Sequence, residues 1–226
     1  MSSVTIKNLN KTYPNGFLSV KDVSLHIDDG EFVTFHGPSG CGKSTILRMI
    51  GGLEDITSGE IYLGNDLLND VLPRDRQLAM AFQNYALYPA FSVYENIALG
   101  LILRDFPRNI IDSRVKIAAE LLKIPNILDK KIRKTSDMQR QKIALARAVV
   151  CRPKVFLVDE DFSRGNLFRR REMLYDILRI NKKLKITTLY VTNDYKEAIA
   201  LRKKIVFMEN GEITDTVLQV SLDGQR

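Results

Sequence analysis

Gly37-Pro38-Ser39-Gly40-Cys41-Gly42-Lys43-Ser44-Thr45 fits the spacing G-x-x-x-x-G-K-[ST], and this stretch decides the fold. Glycines let successive backbone N–H groups turn inward on an anion, and a helix starting behind them adds the positive end of its dipole. Lys43 then supplies a point charge for phosphate oxygens, and the Ser44 hydroxyl a hard ligand for Mg²⁺. Residues 31–35 (Glu-Phe-Val-Thr-Phe) precede the stretch with a strand-like run of Phe and β-branched residues. Residues 44–50 continue it as a helix with Ile46, Leu47 and Ile50 on one side. Strand, glycine-rich turn and helix in that order are what a phosphate cradle requires. All nine residues, 37 to 45, are candidate cofactor-binding positions.

The rest of the composition is that of a globular chain. It has 226 residues, 45% hydrophobic and 27% charged, enough for one α/β domain with an inserted subdomain. The longest clear apolar run, residues 97–103, falls far short of the roughly 20 residues that a membrane helix needs. The N-terminus lacks the basic start and apolar core of a secretion signal. Two distant cysteines, Cys41 and Cys151, form neither a disulfide framework nor a metal cluster, so a reducing cytosol is expected. The net charge of +7 is unevenly placed: residues 1–100 carry 7 basic and 11 acidic side chains, residues 101–226 carry 27 and 16. Basic clusters at 130–134, 169–171 and 202–204 read as solvated faces, because aromatics do not interleave with them as a single-strand groove requires.

Along the chain, residues 4–9, 24–27 and 60–63 are strand-like, and Asp28-Asp29-Gly30 is a turn into the strand before the glycine-rich stretch. From about residue 87 to 150 the pattern is helical, with Ile111, Val115, Ala118, Ala119 and Leu122 on one face. Residues 139–150 form a further helix that Arg152-Pro153 ends. Val155-Phe156-Leu157-Val158 suits a central parallel strand, followed by a helix over 168–180 and a strand over 187–192. Asn210-Gly211 joins 205–208 to 212–214 as a hairpin. Asp159-Glu160 directly follow the apolar strand. A carboxylate there can hold Mg²⁺, and a second can polarise an attacking water.

With these residues in hand, the chain resembles the ATP-binding subunits of ABC transporters over nearly its whole length. Phe82-Gln83-Asn84-Tyr85-Ala86-Leu87-Tyr88-Pro89 looks like the Q-loop of carbohydrate-importer ATPases. The resemblance implies an α/β ATPase domain with a parallel-sheet core, an N-terminal antiparallel β layer and a helical subdomain inserted at about 87–150. It assigns ATP and Mg²⁺ as cofactors. By the same resemblance Tyr13 is expected to stack on adenine, Ser44, Gln83 and Asp159 to face the metal, Glu160 to be the catalytic carboxylate, and Gln83 and Asn193 to stand at further catalytic positions. It implies transmembrane permease partners, a dimer of ATP-binding subunits, and a place on the inner face of the cell membrane. Carbohydrate-importer ATPases usually carry a C-terminal regulatory domain, and here none is expected beyond the last hairpin. A nucleic-acid role fares worst, lacking a coiled-coil insertion or tandem ATPase domains.

Three motifs depart from the family pattern, and all three serve hydrolysis. The family sequence Leu-Ser-Gly-Gly-Gln, which caps the γ-phosphate held by a second subunit, is Thr135-Ser136-Asp137-Met138-Gln139. Ser136 and Gln139 remain candidate nucleotide contacts, whereas Asp137 would repel a phosphate charge about 5 Å away by roughly 3 kcal/mol at an effective dielectric near 20. The D-loop reads Ser163-Arg164-Gly165-Asn166, with Asp161 where proline usually follows the catalytic Glu. The switch histidine is Asn193, which cannot carry the charge of an imidazole. The expectation is an ATP-binding subunit with impaired turnover. The alternative is a degenerate subunit that senses ATP or completes a heterodimer without hydrolysis.

Overall fold

The structure, a computed structural model, describes residues 3–81, 86–159, 167–201 and 203–218. Its chain order begins β1 (Val4–Thr12), β2 (Leu18–Ile27), β3 (Phe32–His36), α1 (Lys43–Gly51), β4 (Ser58–Leu63), β5 (Asp66–Leu67) and β6 (Leu78–Ala81). It continues α2 (Val93–Ile102), α3 (Arg108–Leu121), α4 (Asp137–Val149), β7 (Val155–Val158) and α5 (Leu167–Leu184). It closes with β8 (Thr187–Thr192), α6 (Tyr195–Ala200), β9 (Lys204–Glu209) and β10 (Glu212–Val217).

The described residues form two sheets. One is antiparallel, in the order β2-β1-β4-β5; the other runs β10-β9-β3-β8-β7-β6 and is parallel except at the β9–β10 hairpin. The period of two decides what lies on each face of the second sheet. Val33 and Phe35 of β3, Val155 and Leu157 of β7, and Leu189 and Val191 of β8 face α1 and the antiparallel sheet. Phe32, Phe156, Val158 and Tyr190 face the other way, toward α4 and α5 and the core they share with α2 and α3. The run 155–158 is apolar throughout because both faces are covered. Helix α1 lies between the sheets and buries Ile46, Leu47, Met49 and Ile50 completely, each contributing roughly 1.5–3 kcal/mol of transfer free energy.

The expected α/β architecture with an antiparallel layer is present, and the helices α2, α3 and α4 occupy the segment expected to be helical. Element lengths differ for physical reasons. The first hairpin is longer than its sequence pattern, because the register shifts between Ile6 and Leu9, with Asn8 at φ 45, and alternation breaks there. Lys11 falls inward beyond that bulge and pairs with Glu54 at 2.6 Å. Helix α4 starts at Asp137 rather than 139, because Ser136 and Gln139 close a capping box across its first turn.

Helices α4 and α5 are joined through Asp176, whose side chain sits 3.2 Å from Lys142 Nζ and accepts a hydrogen bond from Arg179 at 2.8 Å. Burial pushes the Asp176 carboxyl above its ordinary range, with Lys142 pulling the other way. A raised carboxyl contributes stability that is fully present below its unfolded value and fades as pH rises through the folded one. The expected result is that the advantage in Tm of wild type over Asp176→Asn shrinks as pH rises above the ordinary Asp value of about 3.9. A constant gap in thermal melts would contradict it.

Candidate functional site

The sheet positions the site by ending three neighbouring parallel strands on one edge. Strand β3 leads into residues 37–45, β7 into Asp159 and β8 into Asn193, and their register sets His36 beside Thr192 and Val158 beside Tyr190. The carboxyl edge of such a sheet is where loops converge on a ligand. Gly42 makes the turn into α1, with φ 100 at the N-cap, so that the next residues start the helix with their N–H groups free of intrahelical partners.

Around this turn lies a cleft of about 400 Å³ lined by Tyr13, Phe17, Ser19, Ser39, Gly40, Gly42, Lys43, Ser44, Thr45 and Asp159. That volume falls within the range of small-molecule sites. Lys43 is only 3% exposed, and its ammonium donates to the carbonyls of Gly37 and Pro38, both at 2.7 Å, and lies 3.6 Å from Cys41 Sγ. The loop thus holds the charge against its own carbonyls. Ser44 Oγ donates to Asp159 Oδ1 at 2.6 Å, so one hydroxyl and one carboxylate converge on the cleft floor. Hard oxygens in this number fit Mg²⁺, which keeps most of its shell for waters and phosphate oxygens. Among the described residues there is no group of three or more His, Cys, Asp or Glu that could hold a metal ion.

At the rim, Tyr13 and Phe17 stack with centroids 6.4 Å apart across the turn over residues 14–16, and Lys11 Nζ lies 5.0 Å over the Tyr13 ring. An apolar slab next to a cationic loop suits a flat base carrying phosphates. Asn193 Nδ2 donates to Ser39 Oγ at 3.3 Å, which brings the end of β8 to the glycine-rich loop.

The structure therefore draws together Tyr13, the loop from Gly37 through Thr45, Asp159 and Asn193. Within the loop, Pro38 supplies its carbonyl and Cys41 is buried behind it. Gln83 and Glu160 lie outside the described residues, as does the D-loop stretch from Ser163 to Asn166. Ser136 and Gln139 are not in the cleft: Ser136 Oγ accepts from the Gln139 N–H at 3.3 Å, and Gln139 Oε1 accepts from the Ser136 N–H at 3.0 Å. The Asp137 carboxylate is not the lone charge that its position suggested. It accepts from Arg169 Nη1 at 2.8 Å, with both side chains nearly half exposed, so part of its repulsion toward an anion is offset in place. Two cleft residues escape a sequence reading centred on Tyr13. Phe17 was signalled only by the turn residues Pro14-Asn15-Gly16 between two aromatics, and Ser19 by nothing local, since its Oγ meets Thr45 Oγ1 at 3.0 Å through the packing of β2 on α1.

Comparison with known proteins bears on the family and the fold. Residues 20–163 match the family described as ABC transporter. The chain is 48% identical over 213 residues to the sn-glycerol-3-phosphate import ATP-binding protein UgpC of Rhodopseudomonas palustris (strain BisB5), covering 94% of this chain and 58% of the relative. It is 46% identical to the maltose/maltodextrin import ATP-binding protein MalK of Mannheimia succiniciproducens, covering 94% and 57%. The chain thus spans somewhat over half the length of the curated relatives it matches. Among solved structures, the dimeric post-hydrolysis state of the ATP-binding cassette MJ0796 bound to ADP and Pi superposes with a TM-score of 0.81 at 28% identity, over 97% of this chain and 100% of that one. A second, cbiO1 from Clostridium perfringens, described as part of the ABC transporter complex cbiONQ, gives 0.87 at 25% identity over 96% and 88%. On sequence and fold together, the chain belongs to the ABC transporter family, within its ATP-binding cassette proteins.

Proposed function

We propose that this chain binds Mg·ATP in the cleft around residues 37–45 and couples it to solute import through transmembrane permease subunits, with slow turnover of its own. The observation that carries the first half is the convergence of Lys43, Ser44 and Asp159 at the start of α1. In this reading the N–H groups of the loop and the Lys43 ammonium take the β- and γ-phosphates, and Tyr13, backed by Phe17, stacks on adenine. Ser44, Asp159 and Gln83 would hold Mg²⁺, whose chemistry there would be to neutralise phosphate charge. Glu160 accepts the proton of the attacking water. The identities with UgpC and MalK, both named as import ATP-binding proteins, support a polar solute such as a sugar or polyol phosphate. They support a cytoplasmic position beneath a membrane, and no described helix is long and apolar enough to cross one. Dimeric cassettes among the related structures support a dimer.

The case for slow turnover rests on Asn193 and on the sequence 135–139. Losing one well-placed donor to the transition state costs on the order of 2.7–4 kcal/mol, or about a hundred- to a thousand-fold in rate. A subunit that senses ATP or completes a heterodimer is the second reading, favoured by the Asn193–Ser39 contact, which holds an uncharged amide where the family has histidine. We expect wild type to bind Mg·ATP at micromolar concentrations and Lys43→Ala to bind at least tenfold more weakly, read by calorimetry. Failure of wild type to bind nucleotide would refute the reading. A homomeric rate typical of importer ATPases, abolished by Glu160→Gln, would refute slow turnover.

A further inference from the structure

At the opposite end of the same parallel strands is a second cleft. It is lined by Asp29, Arg152, Pro153, Lys154, Lys183, Leu184, Lys185 and Ile186, with a volume of about 440 Å³. Pro153 and Lys154 lead into β7, Lys185 and Ile186 lead into β8, and Asp29 lies in the turn before β3. The cleft is therefore separated from the loop 37–45 by the length of the strands, about 15–20 Å at 3.3 Å per residue. Four cations and one carboxylate meet there, a formal +3. Arg152, Lys154, Lys183 and Lys185 make no side-chain hydrogen bond or ion pair with another described residue, unlike Lys11, Lys43 and Lys142 elsewhere in the fold.

Helices α4 and α5 end beside this cleft, and cations near helix C-termini are favourable in themselves. That accounts for part of the cluster only. Two C-termini supply about half a negative charge each, roughly one in all, against +3. The backbone carries a second sign. Arg152 and Lys185 both hold left-handed conformations, φ 53 and φ 52, at the bends after α4 and α5. Glycine is the residue that makes such bends without cost, and a side chain there costs on the order of 1 kcal/mol. Both bends carry long basic side chains instead, and both aim into one concave space.

We propose that this cleft is an anion site, distinct from the nucleotide cleft, for a compact and multiply charged phosphate compound of the pyrophosphate or phosphomonoester class. Its volume suits a small molecule. Pro153, Leu184 and Ile186 form an apolar wall along one side of the cations. The site does not depend on the nucleotide reading above.

The test is a calorimetric titration of the full chain with sodium pyrophosphate, at constant ionic strength, with Mg·AMP-PNP saturating the first cleft. One saturable site is expected, and Lys154→Gln with Lys185→Gln should weaken it at least tenfold while AMP-PNP affinity is unchanged. Should the double variant fold poorly, Lys183→Gln alone, on the exposed last turn of α5, should weaken it about threefold. The proposal is overturned if pyrophosphate does not saturate, or if these variants bind it as wild type does. It is equally overturned if the same lysines respond only to phosphatidylglycerol vesicles or to RNA. A chain that fails to bind AMP-PNP but still binds pyrophosphate through Lys154 and Lys185 would sink the nucleotide reading and leave this one standing.

Discussion

Gly42→Ala is expected to lower stability by about 3 kcal/mol and to abolish nucleotide binding. Two independent costs meet at this residue. Its φ of 100 lies where a side chain costs roughly 1–2 kcal/mol. A Cβ would also stand 2.4 Å from the Ser19 carbonyl oxygen and 3.3 Å from Val20 Cγ2. Ser19 is buried in β2 and has no flexible end to move, so either β2 shifts or α1 does, and overpacking of this kind costs a further 1–3 kcal/mol. Displacing the first turn of α1 removes Lys43 and Ser44 from the cleft together. Gly16→Ala is the matched control. It also has positive φ, 82, but its Cβ would meet nothing within 4 Å, so only the conformational cost of about 1 kcal/mol applies. Denaturant unfolding and nucleotide titration of both variants check the contrast; equal losses at the two sites would show that the Ser19 contact is not the cause.

The second large effect is a gain. Asn193→His combined with Asp137→Gly and Met138→Gly is expected to raise steady-state ATP turnover by about a hundred- to a thousand-fold, the value of one recovered transition-state donor. The same variant should be less stable. Glycines in the first turn of α4 cost up to about 1 kcal/mol each, and the exposed Asp137–Arg169 pair contributes at most about 1 kcal/mol more. Rate and melting temperature should therefore move in opposite directions, which a general improvement in folding would not produce. If the variant binds nucleotide as wild type does and turns over no faster, the ATP-sensing reading is preferred.

What could be read from the chain beforehand follows the distance over which each feature is encoded. The loop 37–45 and the runs 155–158 and 187–192 carry their structure locally, in glycine spacing and unbroken apolar strands, and they appear where expected. Features made by packing do not. Ser19 enters the cleft because β2 lies on α1, and Arg169 reaches Asp137 because α5 passes the start of α4; neither has a signal within its own neighbourhood. Strand β6 was missed because four residues, Leu78–Ala81, carry no distinct period beside a polar turn. Helix α6, at six residues, is too short for a helical period to emerge, although its N-cap Asp194 gave a usable signal by accepting from the Lys196 N–H. Ser136 and Gln139 could have been recognised as a capping box from the spacing S-x-x-Q alone.

The strand order carries a consequence for biosynthesis. Strand β3, which ends at the glycine-rich loop, is flanked in the sheet by β8 and β9, with Val33 opposite Leu189 on one side and Lys204 on the other. Both neighbours are made long after β3 itself. A nascent chain that has emerged only through residue 186 holds the entire phosphate loop but leaves both edges of its supporting strand unpaired, open to pairing with other chains. The loop cannot become a cleft until β8 and β9 have left the ribosome, and long-range pairings of this kind are the slow ones to form. Nucleotide is therefore expected to bind only after β8 and β9 have paired with β3, so that the ligand's first contact is with a supported strand.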